Sequence, residues 1–148
     1  MKNILLIFLV IVSVANAMPE ALGQSKVVMK VNVSPQANNN SPVALDLVLV
    51  KDKKLLKKLM KISASEWFEK RNQYRLDYPK ETGLSAGSWE WVPRQVVKID
   101  PISIKGKLAG GIIFANYFTS GTHRALLDLR KTIVVNLGAN DFSVEPQK

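Results

Sequence analysis

Between Val27 and Val50 apolar residues recur at every second position, and directly afterwards they recur at helical spacing. No single secondary structure satisfies both periods, so the chain must join strands to a helix near residue 51. Val27, Met29, Val31 and Val33 share one face, with Lys30 and Asn32 on the other. That is the pattern of a half-buried strand. Val43, Leu45, Leu47 and Leu49 repeat it, with Asp46 facing the other way. The intervening segment, SPQANNNSP (34–42), reads as a loop, because its consecutive asparagines tolerate left-handed turns.

After the period changes, Asp52 is placed to cap a helix running to about Ile62. At about 100° per residue, Lys53, Lys54, Lys57, Lys58 and Lys61 fall on one arc, and Leu55, Leu56, Leu59, Met60 and Ile62 on the opposite one. Ser63-Ala64-Ser65-Glu66 forms a capping box, which predicts a second helix carrying Trp67 and Phe68. The helical insertion therefore covers about 52–75. Tyr78-Pro79 through Gly83 and Gly87 reads as a loop.

From Ser88 onward the strand pattern returns. Trp89 and Trp91 share a face. Pro93-Arg94 reads as a turn, Val96 to Ile99 as a strand and Ile102 to Ile104 as a short strand. Leu108 to Phe118, the most apolar stretch after the leader, reads as a central strand. His123 to Leu129, Lys131 to Leu137 and Asp141 to Val144 complete the set, separated by turns. Seven to eight short strands at this spacing predict a mainly β protein, a β-sandwich with a two-helix insertion after the second strand.

The first seventeen residues read as a secretory signal peptide. Lys2 supplies the positive end, Ile4 to Val12 the apolar run, and Ala15-Asn16-Ala17 the cleavage site. That run is too short to span a bilayer, which takes about 20 residues. Residues 18–25 read as a flexible tether and 26–148 as the domain. The expected location is the periplasm, in peripheral contact with the outer membrane. The chain contains no cysteine. On this reading disulfides, thiolate metal sites and attachment of a lipid to cysteine are excluded, so the protein is expected not to be lipidated.

No residue pattern points to catalysis, a cofactor or a metal. His123 is the only histidine and reads as a partly exposed structural residue. Glu66 and Glu69 are explained by capping and a solvated face. Gly106 to Gly111 (GKLAGG) lacks phosphate-loop spacing. Asn32-Val33-Ser34 matches a glycosylation acceptor but falls at a strand end. The formal charge of +9 suits an anionic partner. The lysine arc Lys53, Lys54, Lys57, Lys58 and Lys61 reads either as a solvated helix face or as a contact for anionic lipid or lipopolysaccharide. Nucleic acid is not expected of an exported chain without basic, aromatic-interleaved strands.

Three segments carry a family resemblance. VNVSPQANNNSPVALDLVLV (31–50), ASEWF (64–68) and WEWVPRQVVKIDP (89–101), followed by GGIIFANYF (110–118) and HRALLDL (123–129), together resemble the outer-membrane lipoprotein of the type VI secretion membrane complex, the TssJ family. The chain departs from that family in lacking the anchor cysteine, in having Arg94 where glycine is usual and His123 where tryptophan is common. The resemblance implies a transthyretin-like sandwich and a non-catalytic periplasmic scaffold. It also implies that the loop between the first two strands binds the periplasmic part of a large inner-membrane component. By position that loop is Ser34, Pro35, Gln36, Ala37, Asn38, Asn39, Asn40 and Ser41. The competing reading is a free periplasmic carrier that holds a small ligand in a cavity of the sandwich.

Overall fold

A computed structural model describes residues 25–146. The expected signal peptide and nearly all of the expected tether, residues 1–24, lie outside the described residues, as do the last two. The strands are β1 (Lys26–Val27), β2 (Met29–Val33), β3 (Val43–Val50), β4 (Leu84–Trp91), β5 (Ile102–Ser103), β6 (Gly110–Asn116), β7 (Arg124–Leu127), β8 (Ile133–Leu137) and β9 (Phe142–Pro146). Two helices, α1 (Lys53–Leu59) and α2 (Ala64–Asp77), follow β3. Strands β4-β3-β6-β7 make one antiparallel sheet. Strands β2-β8-β9 make the facing sheet, in which β2 and β8 run parallel. The short strands β1 and β5 pair with each other.

The two alternating strands explain the sandwich. Val27, Met29 and Val31 meet Val43, Leu45, Leu47, Ile113, Ala115, Ile133, Val135 and Leu137 in one buried core. The other face of the four-stranded sheet is covered as well. Val48, Val50, Ile112 and Phe114 pack there against Leu55, Leu59, Ile62, Trp67 and Tyr74 of the helical segment. The insertion is therefore a third layer, and β3 and β6 are central strands buried on both faces.

Both helix starts follow the sequence. Asp52 Oδ1 accepts from the Leu55 N–H at 2.6 Å, and Ser63 Oγ accepts from the Glu66 N–H at 3.2 Å. Asp46 faces the helices and is fully buried. Its carboxylate accepts from Trp67 Nε1 at 2.9 Å and from Arg71 Nη1 at 3.2 Å, with Arg75 Nη2 at 3.8 Å. A charge in such a place needs partners, and the second helix supplies all three. Trp67 is in turn stacked between Phe114 (5.1 Å between centroids) and Tyr74 (5.7 Å).

Three expectations are corrected. Gly87 lies inside β4, which begins at Leu84. The Trp89 ring folds back over it so closely that a Cβ at Gly87 would meet the indole at 2.6 Å. The segment Val96–Ile99 is not a strand: its only ladder contact is an isolated bridge between Val96 and Asn32, and Val96 itself projects into solvent. Its alternation reflects Val97 and Ile99 covering the edge of the core. His123 is buried and not partly exposed. Arg94, where the resembled family has glycine, sits at φ 66°, in the backbone region that favours glycine.

Trp89 and Trp91 stack at 5.8 Å, with Trp91 buried and Trp89 partly so. With Trp67 buried too, acrylamide is expected to quench native fluorescence weakly and denatured fluorescence several-fold more. Strong quenching of the folded protein would place the pair on an open platform instead.

Candidate functional site

Three of the connections between strands gather at one end of the sandwich, next to the start of β3. There the 34–42 loop meets segments 117–123 and 138–141. The loop is fixed from its own backbone outward. Asn38, Asn39 and Asn40 take φ values of 46°, 54° and 61°, three successive left-handed residues. Asparagine reaches that region at lower cost than other side-chain-bearing residues, though usually singly. The N–H groups of Ser34, Asn38 and Asn39 donate to the carbonyls of Leu137, Gly138 and Ala139 at 2.9, 3.2 and 3.3 Å. Ser41 N–H closes the turn on the carbonyls of Ala37 and Asn38.

Asn38 is the joint between the loops. Its side chain is 1 % exposed. Nδ2 donates to the Pro42 carbonyl and Oδ1 accepts from the Phe118 N–H, both at 2.9 Å. His123 holds the next junction. Its Nε2 donates to the Thr119 carbonyl at 2.8 Å, and its Nδ1 faces Asp141 Oδ1 at 2.8 Å. The imidazole stacks on Tyr117 at 5.1 Å. Burial, and then the Asp141 charge, raise the Tyr117 phenol above its ordinary value. With both imidazole nitrogens engaged and the ring covered, His123 serves as a brace.

The brace presents an exposed rim. Among the residues expected to bind a partner, Pro35, Gln36, Asn39 and Asn40 are exposed, Ser34 and Ser41 are half-buried, and Ala37 and Asn38 are buried. The last two shape the loop and offer no contact surface. Two apolar residues outside the sequence expectation join the rim: Phe118, 76 % exposed, and Val92, 52 % exposed. They follow the ends of β6 and β4, the two strands that flank β3, so they stand about 10 Å apart. Sequence reading placed Phe118 at the end of an apolar central strand and did not single it out as exposed. Its outward turn depends on the Asn38 bond, which no local pattern reveals.

The five lysines of the helical arc do not form one equivalent set. All are exposed. Lys58 is drawn over the Tyr74 and Tyr78 rings, at 5.3 and 5.7 Å. Lys53 and Lys54 sit at the end of the domain opposite the rim. Lys61 lies about 10 Å further along, beside Ile62, whose carbonyl accepts from Arg124 Nη1 in β7.

The cavities are grooves open to solvent. One of about 520 Å³ runs along Asn32, Ser34, Asn136, Gly138, Asp141 and Ser143, next to the rim. Among the described residues no group of three or more His, Asp or Glu could hold a metal ion, and no helix is long and apolar enough to cross a membrane.

No protein-family model matches the chain, and no curated protein matches it by sequence. Solved structures do match it. The type VI secretion lipoprotein TssJ1 of Pseudomonas aeruginosa superposes with a TM-score of 0.65 at 14% identity, over 84% of this chain and 98% of that one. The Lip protein of Serratia marcescens, a membrane-bound component of the type VI secretion system, gives 0.62 at 12% identity, over 84% and 99%. The fold is TssJ-like across nearly the whole described domain.

Proposed function

We propose that this chain is a non-catalytic component of a type VI secretion membrane complex, holding the periplasmic part of a large inner-membrane component at the rim around Asn39, Asn40 and Phe118. The observation that carries this reading is the rim itself: an exposed aromatic residue and a polar loop, both locked by buried side chains that have no other evident task. A loop ordered in advance loses little conformational freedom on binding. An exposed aromatic residue beside a polar loop has the composition of an interface anchor. Likeness in fold to two type VI secretion proteins supports the same assignment.

The test is affinity for the periplasmic region of the inner-membrane component encoded in the same secretion gene cluster. Phe118→Ala is expected to weaken binding about tenfold or more. The unfolding midpoint should be unchanged, because the side chain already faces solvent. Unaltered binding by Phe118→Ala and by Asn39→Ala/Asn40→Ala would remove the rim from the interface.

A further inference from the structure

Seven lysines cluster at the end of the domain opposite the rim. Backbone bonds define that end: Ser25 accepts from Ile104, Val50 from Ala109, and Gly83 from Lys51. The start of the described chain, the 104–109 loop, the β3–α1 junction and the α2–β4 loop therefore share one surface. It carries Lys26, Lys51, Lys53, Lys54, Lys80, Lys105 and Lys107, of which all but Lys51 are exposed. Lys51, Lys80 and Lys105 line a single groove with Ser103 and Ile104. Lys107 lines the next one with Ser25 and Arg130.

The carboxylates nearby are mostly committed elsewhere. Asp52 caps α1, Asp128 is held by Arg130, and Asp77 accepts from Gln73, while Glu81, next to Lys80, is exposed and its carbonyl accepts from Lys51 Nζ at 2.9 Å. Among the described residues none of the seven lysines is in an ion pair. At the rim, by contrast, segments 34–42, 117–123 and 138–141 contain no lysine or arginine, and the turn after Val92 brings Arg94. The eight residues of β3 separate the two ends by about 23 Å.

We infer that the lysine-rich end rests on the anionic headgroups of a bilayer, so that the domain stands off the membrane with its rim facing away. This goes beyond binding at the rim and stands without it. Charge complementarity argues for a flat anionic surface. The lysines come from four separate chain segments around one end, a spread that matches a plane better than a single small anion. The described chain also begins here, at Ser25. The arrangement revises the sequence expectation: Lys53 and Lys54 belong to the surface, whereas Lys57, Lys58 and Lys61 leave it along the helix.

The test is co-sedimentation of the mature chain, Met18 to Lys148, with phosphatidylglycerol/phosphatidylcholine vesicles. Binding is expected at about 0.05 M salt and should fall steeply by about 0.5 M, as the screening length shrinks from over 10 Å to under 8 Å. Lys53→Gln/Lys80→Gln/Lys105→Gln should weaken binding about a hundredfold, since each basic residue at such a surface contributes roughly fivefold. Lys30→Gln/Lys57→Gln/Lys61→Gln removes the same charge elsewhere and should change binding less than about threefold. Equal losses from the two triple variants would overturn the assignment in favour of net charge alone. Undiminished binding by the first variant, no binding at low salt, or equal binding to pure phosphatidylcholine would each overturn it outright. Both variants should keep full affinity for a rim partner, which separates this result from failure of the rim.

Discussion

Trp67→Ala is expected to lower the unfolding free energy by about 3–5 kcal/mol, the range for removing a large buried aromatic residue. Three losses coincide. The side chain is fully buried, so its removal leaves a cavity between α2 and the sheet. The stacked series Tyr74, Trp67 and Phe114 loses its middle member. The buried Asp46 carboxylate also loses the Nε1 donor at 2.9 Å. Domains of this kind are typically stable by about 5–15 kcal/mol, so the variant should be marginal. Urea unfolding followed by circular dichroism would read the change as a lower midpoint at constant slope. Trp67→Phe separates the contributions: it keeps most of the ring volume and removes the N–H, and should cost about 1–3 kcal/mol. If Trp67→Ala cost less than about 1 kcal/mol, the helical insertion would not be packed on the sheet as described.

The Asp46 cluster also shows where sequence reading stops. Alternation put Asp46 on the face away from the sandwich core, and there it is. The natural inference from alternation alone is that such a face meets water. The helical insertion was legible too, from the Asp52 cap and the Ser63 box. What periodicity does not say is which sheet face an insertion covers. That depends on the path from Val50 through the β3–α1 junction back across β6, a non-local matter. The same limit explains the Val96–Ile99 segment, whose alternation is real but whose neighbours do not extend the ladder. It also explains Gly87. Glycine reads locally as a loop signal, yet here it leaves room for the Trp89 ring above a continuous strand. At the rim, the left-handed asparagines were readable from residue type. The burial of Asn38, the exposure of Phe118 and the role of His123 were not, because each depends on a partner about 20 to 80 positions away.

Asn38 is where structure and the proposed function can be tested with one residue. Asn38→Ala is expected to cost about 3–4 kcal/mol. A left-handed conformation disfavours alanine by about 1–2 kcal/mol. The Pro42 carbonyl and the Phe118 N–H each lose a partner, at about 1 kcal/mol apiece. Asn38→Gly keeps the backbone conformation and should recover about 1 kcal/mol of that loss while both side-chain bonds stay broken. The two variants therefore separate backbone strain from bonding, measured as the difference in unfolding free energy. Their effect on binding separates something else. If the rim acts as a pre-ordered surface, Asn38→Gly must weaken partner binding although Asn38 touches no partner, because it releases Phe118 from the 34–42 loop. A folded Asn38→Gly protein with undiminished affinity would mean that Phe118 and the loop bind independently or not at all. Weakened binding by Asn38→Gly that is matched by Phe118→Ala, and is not deepened when the two are combined, would mean that the buried amide acts through the exposed ring.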